Sequence, residues 1–189
     1  MGINKSRPVY EKLRIDPAGR AHLIVTDLAA VPEEAIEEEL ALSGVECWTV
    51  GLSGPGIAVP AAGNVRAFRA VADLLAHLSH RLVREKVGLR LYAAGSEAFL
   101  WDVMNLARDA GLGGDEVFLS QAGTLRRRVY CTHCRTMNED VETNIVACRG
   151  CGASLFVRDH FSRRLAAFMG VKMDAEVPGE LPEVEVLYP

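Results

Sequence analysis

Four cysteines in the pattern C-x2-C-x13-C-x2-C, namely Cys131, Cys134, Cys148 and Cys151, constrain the fold of this chain more than any other feature. Each C-x-x-C pair makes a tight knuckle that points two thiolates at one ion. Two knuckles across a hairpin complete the tetrahedron that zinc prefers, and the intervening segment is close to the usual spacing of such sites. Gly152 follows the second knuckle and relieves strain where backbone amides turn towards sulfur. Arg149, inside that knuckle, offsets part of the charge of four thiolates. Disulfides are the competing reading, and they belong to oxidising compartments. The opening MGINKSRPVYEKLR has no apolar h-region, so no secretory signal is expected and the expected location is cytoplasmic. Four thiolates in two knuckles also describe a rubredoxin-type iron centre, so mononuclear iron stays open beside zinc. A closed four-cysteine site leaves no position for a reactive water, which argues against hydrolytic metal catalysis.

Upstream of the cysteines the texture is that of an α/β domain. Residues 1–19, with Pro8 and Pro17, read as an extended lead-in. Strands are expected at Ala21–Val25, Glu46–Val50, Leu89–Ala93 and Glu116–Ser120. Between them, a helix is expected from Thr26 or Asp27 to Leu42, with Pro32 and three glutamates in its early turns and Gly44 as its C-cap. A long helix from Val65 to Glu85, capped by Asn64, follows a Gly/Pro-rich loop and carries Phe68, Val71, Leu74, Leu75, Leu78 and Leu82 on one stripe. A further helix spans Glu97–Ala110. Strands alternating with helices imply a parallel sheet, so residues 20–121 read as a small Rossmann-like domain. Residues 124–172 read as the zinc ribbon with a short helix at Ser162–Met169. The tail 173–189 reads as acidic and extended, docked on a partner.

Charge divides the chain along the same lines. Residues 1–120 carry net −4, residues 121–172 net +5, and residues 173–189 net −5. Arg126, Arg127, Arg128, Arg158, His160, Arg163 and Arg164 in the basic island are candidates for docking a partner. Nucleic acid is a weaker match, because aromatic side chains to stack on bases are few and the tail is acidic. The turn Gly95-Ser96, between a strand and a helix N-terminus, is the one place where backbone amides could hold an anionic or nucleotide ligand. Cys47, beside Trp48 in a strand, reads as a core residue. His77 and His80 lie on a leucine-filled helix with no third ligand in view, and His133 lies between two cysteine ligands. No Ser–His–Asp set, P-loop or paired-carboxylate motif stands out.

Residues Leu89–Ser120 resemble the end of the nicotinamide-binding domain of ferredoxin reductases, where a strand meets a Cys-Gly-Pro turn and then a helix. Here the turn is Ala94-Gly95-Ser96, without the cysteine. The glycine-rich turn expected after the first strand reads TDLAA, in which Asp27 would repel a pyrophosphate. The resemblance therefore implies a reductase-type fold whose cofactor site has degenerated. Over residues 20–173, and most specifically in YCTHC and CRGCGASLFVRDHFSRRLAAFMGV, the chain resembles the small zinc-ribbon-bearing subunit of bacterial dimethylamine monooxygenases, the DmmA-like family. That resemblance implies an accessory subunit of a multicomponent oxidative N-demethylase. It places haem on another subunit and NADPH, FMN and an iron–sulfur centre on a reductase. An electron-transfer component of the same system and a nucleic-acid-binding zinc ribbon are the alternatives.

Overall fold

A computed structural model describes residues 6–37, 45–51, 64–173 and 183–189. Two compact units emerge, Tyr10–Gly123 and Met1–Val9 with Thr124–Pro189.

In the first unit, β1 (Ala21–Thr26), β2 (Glu46–Val50), β3 (Val65–Phe68), β4 (Leu89–Gly95) and β5 (Val117–Gln121) form one parallel sheet in the order β3-β2-β1-β4-β5. Two helices, α1 (Val71–Leu82) and α2 (Glu97–Asp109), supply the connections to β4 and β5. The register aligns Val65, Cys47, Ile24, Tyr92 and Phe118 in one row across all five strands. That row is covered not by α-helices but by the lead-in and the segment after β1: Leu13, Ile15, Val31 and Ala35 pack on it. Leu13 also pairs with Ile36 as an isolated parallel bridge. The lead-in is tied down further, since the Asp16 amide donates to the Tyr92 hydroxyl (2.9 Å) and its carboxylate pairs with Arg90. Leu74, Leu78 and Leu82 of α1 are buried, as are Phe99, Leu100, Val103 and Ala107 of α2. Full burial of a leucine or phenylalanine is worth about 1.5–3 kcal/mol relative to exposure, so this unit holds itself together by depth of core.

Two expectations need correction here. The expected helix over Val65–Glu85 is a strand followed by a shorter helix. Val65–Phe68 pairs along β2, the Asn64 carbonyl accepts from the Cys47 amide (2.9 Å), and Phe68 packs on Trp48 with ring centroids 5.2 Å apart. The expected helix after β1 is, over its described part, a single 3₁₀ turn at Glu33–Ala35, after which Ile36 is extended. Pro32 starts that turn, and Ile36 pairs with Leu13 of the lead-in where a helix would have to propagate. The remainder of that helix, residues 38–44, lies outside the described residues.

The second unit is a mixed sheet of β6 (Arg127–Cys131), β7 (Met137–Val141), β8 (Ile145–Ala147), β9 (Ser154–Ser162) and β10 (Ala167–Lys172), in the order β7-β6-β10-β9-β8. β10 is central, parallel to β6 and antiparallel to β9. Its Gly170 is required by close approach, because a Cβ there would sit 2.7 Å from Val129 Cγ1. The short helix expected at Ser162–Met169 is instead the β9–β10 hairpin. Leu165 and Phe168 have helical spacing, but Phe168 faces Phe161 across the hairpin with centroids 5.0 Å apart. The tail, expected to dock on a partner, lies over its described residues 183–189 against this chain's own ribbon. Leu187 and Tyr188 donate to the Glu142 carbonyl (2.9 Å each), and Asn144 exchanges hydrogen bonds with Glu183 and Glu185. No helix among the described residues is long and apolar enough to cross a membrane.

Candidate metal centre

The first knuckle lies between β6 and β7 and the second between β8 and β9. These hairpins stand at opposite edges of the sheet order, yet only residues 142–144 join β7 to β8. The short link brings the two edges together, and all four Sγ atoms lie within 4.8 Å of one another. Cys131 and Cys151 are 3.9 Å apart, and Cys134 and Cys148 are 3.5 Å apart. A tetrahedron of thiolates about 2.3 Å from a central zinc has edges of about 3.8 Å. The four residues therefore fit a tetrahedral metal ion in donor type, number and spacing.

Both knuckles repeat one geometry. The Cys134 amide donates to Cys131 Sγ (3.5 Å), Arg135 to the Cys131 carbonyl, and Cys131 to the Thr136 carbonyl. In the second knuckle, the Gly150 amide donates to Cys148 Sγ (3.4 Å), Gly152 to the Cys148 carbonyl, and Cys148 to the Ala153 carbonyl. The residue after each knuckle is left-handed, Gly152 at φ 72° and Arg135 at φ 66°. Glycine adopts that conformation freely, whereas a non-glycine residue there costs on the order of 1 kcal/mol. At Gly150, a Cβ would collide with Thr136 and come within 3.2 Å of Cys134 Sγ.

These donors set the acidity of the sulfurs. The hydroxyl and amide of Thr136 bring the Cys134 thiol down to about 6. Burial opposes ionisation of Cys148, but the amides of Cys151 and Gly150 prevail and hold it below the ordinary thiol value. The amide of Ala153 favours the Cys151 thiolate, but desolvation and the neighbouring thiols prevail and push this sulfur up to about 11. Four thiols this close resist shedding all their protons, and a bound dication removes that conflict.

One residue joins the two knuckles and carried no signal in the sequence. Asn138 is fully buried on β7. Its Nδ2 donates to the Val129 carbonyl (3.2 Å) and reaches Cys148 Sγ (3.8 Å), while its Oδ1 accepts from the Arg149 amide (2.8 Å). It anchors the second knuckle to the strand that carries the first.

Residues 128–171 match the family described as dimethylamine monooxygenase subunit DmmA-like, C-terminal domain, and residues 56–117 match the corresponding N-terminal domain. The chain is 38 % identical over 173 residues to the haem-dependent oxidative N-demethylase delta subunit of Ectopseudomonas mendocina (strain ymp), an alignment covering 92 % of this chain and 91 % of that relative. The chain belongs to the DmmA-like family. No solved structure matches it.

Elsewhere in this DmmA-like chain, the sequence candidates fall into two groups. Three of the docking candidates pair with acids. Arg126 pairs with Glu142, and Arg128 holds both oxygens of Glu139 (2.8 and 2.9 Å). Arg127 is buried, bound to Asp159 (2.7 Å) and sandwiched between the rings of Phe168 and Tyr188 at 3.8 Å each. The other four, Arg158, His160, Arg163 and Arg164, are exposed on the β9–β10 hairpin. At Arg158–His160 the register of β9 against β10 shifts, which turns three consecutive residues outward.

Gly95 and Ser96 stand where strand order reverses between β1 and β4, the usual ligand crevice of such sheets. The crevice is filled from within. The Ser96 amide donates to the Asp27 carboxylate (3.2 and 3.3 Å), and the Ser96 hydroxyl donates to Oδ2 (2.5 Å). A Cβ at Gly95, at φ 148°, would collide with that carboxylate. Burial raises the Asp27 carboxyl above its ordinary value, although the two Ser96 bonds pull the other way. An acid of the chain itself therefore occupies the helix N-terminus that a phosphate would need. Cys47 is buried, and burial pushes its thiol up to about 11, leaving it unreactive in the core.

Proposed function

We propose that this chain is an accessory subunit of a multicomponent haem-dependent oxidative N-demethylase, held in shape by one structural zinc and docking the catalytic or the reductase subunit. The observation that carries this reading is the Asp27 carboxylate on the Ser96 amide. Where a dinucleotide would sit, the chain has placed its own acid. Its relatedness to a delta subunit of such an enzyme supports the same conclusion. On this reading haem lies on another subunit, and electrons come from NADPH through a flavin and iron–sulfur reductase.

Cys131, Cys134, Cys148 and Cys151 would hold the zinc. Bound there, zinc supplies no reaction; it links two hairpins. The chain's own groups do the rest. The amides of Cys134 and Gly150 stabilise thiolates, and Asn138 fixes one knuckle against the other.

A second reading keeps the assembly but puts iron in the site, making the chain an electron carrier. The exposure of Cys151 and the amide donors on the sulfurs favour it, since both tune redox iron. Metal content and the visible spectrum, recorded on the same purified sample, separate the two. About one zinc per chain and no colour is the expected result. One iron with thiolate charge-transfer bands that bleach on reduction makes the chain a carrier. A chain that fails to co-purify with a haem subunit, or that demethylates amines alone, refutes the subunit reading.

A further inference from the structure

The knuckle geometry raises a question about Arg135. The same turn ends in glycine on the second knuckle and in arginine on the first, both in left-handed backbone. Asp140, also left-handed at φ 57°, is of a residue type that tolerates the conformation. Arginine is not, nor is alanine, which stands at φ 49° at Ala166; what sets the first knuckle apart from the second is that the strained position carries a charged side chain.

That side chain is exposed at the metal end of the ribbon, as are His133 and Arg149. Among the described residues no carboxylate pairs with any of the three, and the Arg149 guanidinium is met only by the Glu139 carbonyl (3.2 Å). Three other cations of the ribbon, Arg126, Arg127 and Arg128, are each matched with an acid. Cys151, in the second knuckle, is exposed and brings the edge of the thiolate centre to the surface.

We propose that the metal end of the ribbon, with Arg135 and Arg149 as its fixed charges and His133 beside them, is the docking face for a carboxylate-rich surface of a partner protein subunit. This rests on the subunit reading given above. A polyanionic nucleic acid fits less well. The two knuckles carry no Phe, Tyr or Trp to stack on a base, and the chain as a whole is net negative. Charges at such a rim orient the partner and speed encounter, so their effect declines with salt.

The test uses the full-length chain and the haem-bearing subunit of the same enzyme, with binding followed at low and high salt and metal content recorded for each variant. Arg135→Gly relieves the strained backbone, so it should keep its metal and melt no lower than wild type while binding several-fold more weakly. The double variant Arg135→Glu/Arg149→Glu should bind at least roughly tenfold more weakly at low salt. Both variants should lose most of the salt dependence seen in wild type. Variants that bind like wild type overturn this inference alone. Loss of metal from Arg135→Gly with binding intact also overturns it, by assigning the arginine to the charge of the centre. Arginine-dependent binding of DNA or RNA, with none of the subunit, replaces the partner with a polyanion. A wild-type chain that binds neither the haem-bearing nor the reductase subunit removes the subunit reading and this inference with it.

Discussion

The two units of this chain solve the same problem by different means. Residues 10–123 bury two faces of a five-stranded sheet, one under α1 and α2 and the other under the lead-in and the segment after β1. The ribbon is smaller, and part of its interior is given to polar and ionisable groups: Arg127, Asn138 and the thiols of Cys131 and Cys148. A domain of that size rarely closes on apolar burial alone and takes a metal as a staple. Stability should therefore separate along the chain, with metal governing one unit and packing the other.

The largest effect should come from Cys148→Ser or a strong chelator. Either removes a binding term of about 10 kcal/mol or more in zinc-finger peptides. Hydrogen exchange should show the amides of β6–β10 losing protection while those of β1 and β4 keep theirs. Loss of protection in both units together would break the comparison. The converse change is Leu78→Ala in α1, a fully buried site. It should cost the α/β unit about 2–5 kcal/mol and leave metal stoichiometry unchanged. Asn138→Leu comes next. It keeps the branched outline of the side chain but leaves the Arg149 amide and the Val129 carbonyl without their partner. Metal affinity should fall roughly 10–100-fold, read by chelator competition, and a cobalt-substituted sample should show altered thiolate bands. Unchanged affinity and bands would mean that the knuckles hold each other without it.

What the sequence disclosed follows the range of the interactions. The cysteines were legible because spacing alone specifies a knuckle, and the parallel sheet because strands and helices alternate. Strand β3 was not. Phe68 continues the stripe of Val71, Leu74 and Leu78, and only pairing with β2 reveals that Val65–Phe68 is extended. The β9–β10 hairpin was hidden in the same way, by helical spacing of Leu165 and Phe168 across a turn. The basic island looked uniform because the acids that answer it are distant in sequence, Asp159 for Arg127 and Glu142 for Arg126. Asn138 gave no signal, since a lone asparagine in a polar hairpin is ordinarily a turn residue. Asp27 was half legible. Its charge marked the phosphate site as spoiled, but its partner Ser96 lies far along the chain.

Asp27 also provides the smallest and most specific prediction. Burial raises its carboxyl above the ordinary value, so the folded state binds the proton more tightly than the unfolded chain does. Stability from this group is then fully present below the unfolded value, about 3.9. It is lost as pH rises through the higher folded value. At neutral pH the buried charge is a net cost, offset by its bonds to Ser96 at the start of α2. Asp27→Asn keeps an acceptor for the Ser96 amide and removes the charge. The change at neutral pH should stay under about 1 kcal/mol, because relief of burial opposes loss of a negative group at a helix N-terminus. The acid-side slope should shrink, and it should do so in the α/β unit alone, with melting of the ribbon and its metal content unmoved. A variant as pH-dependent as wild type would place the slope on another acid. A shift in the ribbon would show that the two units do not melt independently.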